Sequence, residues 1–190
     1  MSLVANSQKK SAILVIDVQK SFTAAPYWRP DELPAFADKL VTLLAGAKAK
    51  NVPVVHILHV DEDGPFRLDS GLVTPMDFLP PEHDVRFYKT AHNAFTTTGL
   101  ARWLTERGIN HLVVTGIRTE QCCETTTRVA SDLGYAVDYV TEATLTFPMV
   151  HPVSGREYST AEIKEKTELV LHKRFARIVD VETCLADLVG

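Results

Sequence analysis

Short apolar segments alternate with amphipathic helical segments along the chain, and this alternation restricts the fold more than any other feature. Segments at 12–18, 52–60, 111–117, 135–140 and 174–181 are predicted as strands. Segments with helical spacing lie at 31–50, 97–108, 120–134 and 160–171. Nearly continuous apolar strands are typical of a parallel sheet, because helices cover both of its faces. We therefore predict an α/β fold, a three-layer α/β/α sandwich with a central, mainly parallel, Rossmann-like sheet.

Composition and charge restrict the partners and the compartment. The 190 residues are 45% apolar and 23% charged, which fits one domain over residues 1–190. A formal net charge of −4 without long runs of one sign predicts a small-molecule partner rather than nucleic acid or a membrane surface. "MSLVANSQKK" lacks the apolar stretch of a secretion signal, and no window resembles a membrane span. A cytoplasmic location is therefore expected, with the three cysteines reduced.

Two long loops follow the carboxyl ends of predicted strands. They cover residues 23–34 and 61–83, and the second is rich in proline, glycine and aspartate. In open α/β sheets, ligands bind in the crevice outside these strand ends. We therefore expect both loops to line a pocket.

Two adjacent cysteines stand in "TGIRTEQCCETTTRVASDLG", residues 115–134. Thr119 is predicted to cap the following helix, which places Cys122 in its first turn. Unpaired N–H groups and the helix dipole favour a thiolate there and lower the pKa of Cys122, but a nearby carboxylate of Asp17 would oppose this, so the net direction of the shift stays open. Cys123 is rotated about 100° around the helix. Cys122 is thus the candidate nucleophile, and plain packing is the alternative for it and the expectation for Cys123 and Cys184.

A nucleophilic cysteine needs a proton acceptor and a cation, and two strand-end residues suit these roles. Asp17 ends the first apolar strand, where an unpaired carboxylate is costly. Lys89 alternates with Val85 and Phe87 in "DVRFYKT", so its side chain shares their face. Alone, each has an ordinary interpretation, as a strand-end cap or a solvated lysine. We predict that Asp17, Lys89 and Cys122 converge within hydrogen-bond or near-contact distance at the carboxyl edge of the sheet, and a separation above about 8 Å would contradict this.

The segments "AILVIDVQKSF", "FYKTAHNAF" and "VVTGIRTEQCCETTTRVASDLGYAV" occur in this order, and the chain resembles the isochorismatase-like cysteine hydrolases from about residue 11 to 182. The resemblance implies their fold and a catalytic triad of Asp17, Lys89 and Cys122. It implies a cis peptide between Ile117 and Arg118, and an oxyanion hole formed by the backbone amides of Arg118 and Cys122. It also implies hydrolysis of a C–N bond in a small amide, ureide or related substrate through a thioester, with no organic cofactor, and a dimer or tetramer.

One motif of the related nicotinamidases is missing. Their metal-binding Asp-x-His is not reproduced in "VVHILHVDEDGPF". His56 and His59 lie three residues apart on a strand, so they point to opposite faces and cannot bind one metal together. We expect no metal, and we expect both histidines to be core or rim residues.

Substrate-binding candidates come from the loops around the expected site. They are Phe22, Trp28, Arg29, His92 and Phe147. An aromatic wall with one guanidinium suits a small, flat or carboxylate-bearing amide, and simple packing is the alternative for each residue. Two other functions stay open: a vinyl-ether hydrolase that uses the aspartate without the cysteine, and a non-catalytic binding or redox-sensing domain.

Overall fold

The computed structural model describes residues 8–190, so the first seven residues of the predicted domain, which begin the segment considered above for a secretion signal, lie outside the described part. The described strands are β1 (Ser11–Ile16), β2 (Val54–His59), β3 (Val85–Lys89), β4 (His111–Ile117), β5 (Ala136–Leu145), β6 (Met149–Val150), β7 (Glu157–Tyr158) and β8 (Arg177–Ile178). The described α-helices are α1 (Leu33–Ala49), α2 (Leu100–Glu106), α3 (Glu124–Asp132), α4 (Thr160–Leu171) and α5 (Val181–Asp187).

Six of these strands form one sheet in the order β3-β2-β1-β4-β5-β8, and all neighbouring pairs are parallel. All six residues of β1 and all seven of β4 are buried, because helices cover both faces of the sheet. On one face Ile13 packs with α1 and α5, and on the other Leu14 packs with α2, α3 and α4. The predicted sandwich with a central parallel sheet is confirmed.

Most predicted elements are present with shifted limits. The helix predicted over 160–171 has the same limits in the structure, and Ser159 and Glu162 form a capping box at its start. The strand predicted over 135–140 continues to Leu145, whereas that over 174–181 contracts to Arg177–Ile178. The antiparallel hairpin of β6 and β7 and the short helix α5 were not predicted.

The strand order determines where a site can form. From β1 the chain adds β2 and β3 on one side, then β4, β5 and β8 on the other. A crevice therefore opens between the carboxyl ends of β1 and β4, at the point where the order reverses. Asp17 directly follows β1, and Cys122 lies in the turn after β4. In residues 8–190, no helix is long and apolar enough to cross a membrane.

Candidate active site

Asp17 stands immediately after β1 in a left-handed backbone conformation, with φ at 52°. Its amide donates to the carbonyl of Ile57 at 2.7 Å, so the neighbouring strand β2 holds it. Non-glycine residues rarely adopt this conformation, although aspartate tolerates it better than most. The side chain of Asp17 is buried, with 1% of its surface exposed. A carboxylate is thus fixed under the crevice at the cost of local backbone strain.

Gly116 lets β4 approach β1 at the same level. Its φ is 124°, and a Cβ at this position would lie 1.9 Å from the carbonyl oxygen of Ile16. Any side chain would therefore separate the two strands or distort them. The peptide bond between the next two residues, Ile117 and Arg118, is cis, at the position that the resemblance implies. A π-helical turn over Thr119–Cys123 then leads into α3.

The structure brings Asp17, Lys89 and Cys122 together. The Nζ atom of Lys89 lies 2.9 Å from Oδ2 of Asp17 and 3.4 Å from Sγ of Cys122. Lys89 is fully buried and Cys122 is 8% exposed. Asp17 therefore has a cationic partner in an apolar surrounding, and the sulfur borders the same cation. The predicted convergence at the carboxyl edge of the sheet is confirmed.

The protonation of these groups follows from burial and mutual charge. Burial raises the pKa of Asp17, although the ammonium of Lys89 opposes this. Burial also disfavours the ammonium of Lys89, but Asp17 and Cys122 outweigh it and keep its pKa above the usual value. For Cys122, burial and the carboxylate of Asp17 raise the pKa and outweigh Lys89. The direction of the pKa shift of Cys122, which the sequence left open, is therefore upward, and the resting sulfur carries its proton.

The turn that carries Cys122 differs from the expected capped helix. The hydroxyl of Thr119 shares a 2.7 Å hydrogen bond with the hydroxyl of Thr144, and it caps no helix because Arg118 stands at the N-cap position without a side-chain cap. Cys123 is fully buried, and its thiol donates to the carbonyl of Thr115 at 3.7 Å. Both cysteines are free thiols. The two sulfurs therefore have different surroundings, as expected for packing at Cys123.

His59, at the end of β2, contacts the buried lysine. Its Nδ1 lies 3.0 Å from Nζ of Lys89, and its Nε2 lies 3.3 Å from Oδ1 of Asp61. The Gln19 side chain holds its backbone by accepting from the amide at 2.7 Å and donating to the carbonyl at 3.0 Å. The predicted core or rim position of His59 is confirmed, because 13% of its side chain is exposed, but its contact with Lys89 and its link to Gln19 were not predicted. The adjacency of Gln19 to the Asp17 segment was the one available signal.

His56 points to the other face of β2, as predicted. It is buried, and its ring stacks on that of His83 with centroids 4.7 Å apart. Burial and the neighbouring His83 lower the pKa of His56 to about 4. Across residues 8–190, no group of three or more His, Cys, Asp or Glu side chains is arranged to hold a metal ion.

Aromatic rings from three loops form a cluster beside the crevice. The ring of Phe147 lies 5.4 Å from that of Trp28, 5.5 Å from that of Tyr27 and 6.3 Å from that of Phe22. Phe66, in the second long loop, packs edge-on against Phe22 at 5.0 Å. The two long loops therefore meet in this cluster. Tyr27 is 37% exposed, whereas Phe22 and Phe147 are buried.

The guanidinium in this cluster belongs to Arg118. It lies 5.0 Å from the ring centroid of Tyr27 and 5.6 Å from that of Phe147. Arg29, the sequence candidate, is exposed and donates to the carbonyl of Trp28. The side chain of Arg118 was not predicted as part of the site, because loop direction decides which arginine faces inward.

Three further side chains lie near the cluster or near His59. Arg118 pairs with Glu120 at 3.0 Å, and the hydroxyl of Thr146 donates to Glu120 at 2.6 Å. A carboxylate thus already neutralises the guanidinium. The candidate His92 is exposed, and its ring lies 6.4 Å from that of His59.

Comparisons with known proteins show the family and the fold of this chain. The family model of the isochorismatase domain matches residues 11–183. The chain is 27% identical to the uncharacterised isochorismatase family protein YrdC of Bacillus subtilis, over 96% of this chain and 98% of that protein. It is 27% identical to nicotinamidase 3 of Arabidopsis thaliana, over 97% and 91%. A crystal structure from Burkholderia xenovorans, assigned as an isochorismatase, superposes with a TM-score of 0.84 at 29% identity, covering 94% of this chain and 86% of that one.

Proposed function

The chain belongs to the isochorismatase family and is a hydrolase, and from this premise we propose that it cleaves a C–N bond through a thioester on Cys122. The substrate class is a small amide, ureide or related compound. The observation that carries the proposal is the buried contact of Lys89 with both Asp17 and Cys122. A nucleophile, a proton acceptor and a cation within hydrogen-bond reach are the parts that covalent acyl transfer requires.

In the first half-reaction, the carboxylate of Asp17 accepts the thiol proton as the sulfur of Cys122 attacks the carbonyl carbon. The resting thiol is protonated because burial and Asp17 raise its pKa, so proton transfer accompanies attack. The backbone amides of Arg118 and Cys122 stabilise the resulting oxyanion. Lys89 keeps Asp17 oriented and balances the charge on the sulfur.

To complete the first half-reaction, Asp17 gives its proton to the departing nitrogen, and ammonia or an amine leaves. The acyl group stays on the sulfur of Cys122 as a thioester. Asp17 then removes a proton from water, which attacks the thioester carbonyl and releases the acid. The thiol is restored with the proton that Asp17 holds, so one carboxyl group serves both steps.

The surroundings support a small, flat substrate. Tyr27, which is 37% exposed and packs on the buried ring of Phe147, offers a ring face beside the crevice, and the relative in Arabidopsis is by its name an enzyme that acts on an amide. Because Glu120 already pairs with Arg118, a substrate carboxylate is not required to neutralise that guanidinium. Neutral amides and ureides are therefore favoured over carboxylate-bearing ones.

A panel of amides and ureides, monitored for ammonia release, tests the proposal. We expect turnover of at least one neutral member by the wild-type chain. Hydrolysis of a vinyl ether with no amide turnover would instead favour the alternative that uses Asp17 without Cys122. Self-association into a dimer or tetramer, which the resemblance implies, stays a prediction that light scattering would test.

A further inference from the structure

The ammonium group of Lys89 has three hydrogens and three partners. These are Oδ2 of Asp17 at 2.9 Å, Sγ of Cys122 at 3.4 Å and Nδ1 of His59 at 3.0 Å. A protonated lysine only donates hydrogen bonds. The nitrogen of His59 that faces Lys89 must therefore accept one.

This requirement determines the tautomer of His59. With Nδ1 as the acceptor, the ring proton of a neutral imidazole resides on Nε2. Nε2 faces Oδ1 of Asp61 at 3.3 Å, so the carboxylate is placed to receive that proton in a hydrogen bond. Burial and the ammonium of Lys89 lower the pKa of His59, which keeps the ring neutral near neutral pH.

We propose that His59 is a positioning residue, which holds the ammonium of Lys89 between Asp17 and Cys122 through its Nδ1 lone pair. This inference rests on the proposed function of these three residues. A lysine side chain has four flexible torsions, and a third acceptor restricts where its ammonium can lie. His59 and Lys89 are paired residues of β2 and β3, so their side chains leave the sheet on the same face.

The anchoring of His59 links it to the loop that carries Asp17. The two hydrogen bonds between the Gln19 side chain and the backbone of His59 join the end of β2 to the segment after β1. Gln19 itself is fully buried. Gln19 lies two residues after Asp17, so the segment that carries Asp17 also fixes the backbone of His59.

Protonation of His59 would remove the acceptor. The charged or titratable groups that face the ring are Lys89 from β3, Asp17 from the loop after β1, Asp61 from its own loop and His92 from the loop after β3. With a proton on Nδ1, the imidazolium of His59 and the ammonium of Lys89 would both be cations, and each would point a hydrogen-bond donor at the other across 3.0 Å. Acid should therefore displace Lys89 and lower the turnover rate.

Nitrogen-15 NMR of the histidine rings tests the tautomer without a substrate. The His59 signals are assigned by their loss in His59→Gln. We expect the wild-type protein near neutral pH to carry the His59 proton on Nε2 and none on Nδ1. A proton on Nδ1 would overturn the inference, because that nitrogen could not accept from Lys89.

Kinetics of two variants test the consequence on the best substrate of the panel. His59→Phe keeps a ring but removes the acceptor, and we expect kcat to fall about 10- to 100-fold, on the scale of a small misplacement of a catalytic group, with KM changed less than about twofold. His59→Gln retains an acceptor oxygen, and we expect its kcat within about fivefold of wild type. The pH profile of His59→Gln should lack the protonation of His59 on its acid side, so that log kcat/KM falls less steeply than in wild type as the pH decreases.

The matched control is His56→Gln, the same change on the other face of β2, which should leave kcat and the acid limb as in wild type. Thermal unfolding of every variant verifies that each is folded under the conditions in which its kcat is compared with that of wild type. Equal loss in His59→Phe and His59→Gln, an unchanged acid limb in His59→Gln, or near wild-type kcat in His59→Phe would overturn the positioning role. If Cys122→Ala retained turnover, the proposed function itself would fail, which separates the two outcomes.

Discussion

The ammonium of Lys89 lies 2.9 Å from the carboxylate of Asp17, although Lys89 ends the edge strand β3 and Asp17 follows β1, with β2 between them. The lysine side chain thus extends across the end of β2, and His59, the last residue of that strand, contacts it there. Neither partner has more than 1% of its side chain exposed. The ion pair is accordingly held inside the fold, where the loss of either charge is costly.

The substitution Lys89→Met should destabilise the protein as well as inactivate it. The carboxylate of Asp17 would be buried without its cation, and removal of one partner of such a pair costs about 3–5 kcal/mol. The double variant Asp17→Asn/Lys89→Met, which buries no charge, should recover part of this loss in urea unfolding while staying inactive. Lys20→Met, which breaks an exposed pair with Asp77, is the control, with an expected cost below about 1 kcal/mol. Lys89→Met unfolding like wild type would contradict the buried-pair assignment.

Arg177 should stabilise the far end of the sheet in a pH-dependent way. Burial opposes ionisation of Asp138, but the guanidinium of Arg177, at 2.8 Å from both carboxylate oxygens, and His111 outweigh it and hold the pKa of Asp138 well below its usual range. A depressed pKa in the folded state contributes stability above the unfolded pKa, near 4, and this contribution is lost as the pH falls.

We therefore expect Arg177→Met to lower the free energy of unfolding by about 1.5–3 kcal/mol near neutral pH, with the difference from wild type shrinking as the pH falls below about 4. Urea unfolding at several pH values measures this difference. Arg102→Met, which removes an exposed pair with Glu106, should cost less than about 0.5 kcal/mol. A constant difference for Arg177→Met at all pH values would exclude the linkage.

The ring of Tyr27 should contribute to substrate binding rather than to the chemical step. It packs against Arg118 and Phe147 and is 37% exposed, so its removal leaves the buried trio in place. We expect Tyr27→Ala to raise KM about tenfold, equivalent to about 1.4 kcal/mol, with kcat changed only a few fold. The control Tyr158→Ala removes another ring that stacks on an arginine, Arg156, and should leave KM unchanged. A fall in kcat without a rise in KM would refute the binding role.

The parallel sheet and the meeting of Asp17, Lys89 and Cys122 were predictable from the sequence. Buried parallel strands consist almost entirely of apolar residues, and Asp17 and Cys122 follow two such strands, β1 and β4, whereas Lys89 is the last residue of the alternating edge strand β3. Parallel strands bring their carboxyl ends to one edge, so position along the chain was enough to predict proximity. The family motifs added the roles of these residues.

The remaining features depend on depth and direction, which the sequence does not encode locally. The pKa of Cys122 rises because the sulfur is buried beside Asp17, and a helical spacing cannot indicate how much solvent remains. The contact of His59 with Lys89 could not be recognised from the sequence, because the two residues are thirty positions apart. Arg29 and Arg118 were distinguishable only after the loops had been placed. The hairpin of β6 and β7 has two residues in each strand, too few for a recognisable period.

Alkylation should distinguish the three thiols. Cys122 is 8% exposed, whereas Cys123 and Cys184 are fully buried, and Asp17 is placed to accept the proton of Cys122. We expect one equivalent of iodoacetamide to label mainly Cys122 and to abolish hydrolysis. Cleavage after arginine yields one peptide, residues 119–128, that contains both Cys122 and Cys123, so fragment ions must locate the label. Labelling chiefly at Cys123 would argue against the nucleophile assignment.

The turnover of Cys122→Ala beside that of Cys123→Ala tests the central claim most directly. Both variants lose one sulfur from the same turn, but only Cys122 contacts Lys89 in the buried trio. With the best substrate of the panel, we predict that Cys122→Ala lowers kcat at least about 1000-fold, on the scale of losing a covalent nucleophile, while Cys123→Ala retains most of the wild-type activity. Near wild-type turnover by Cys122→Ala would contradict the thioester mechanism.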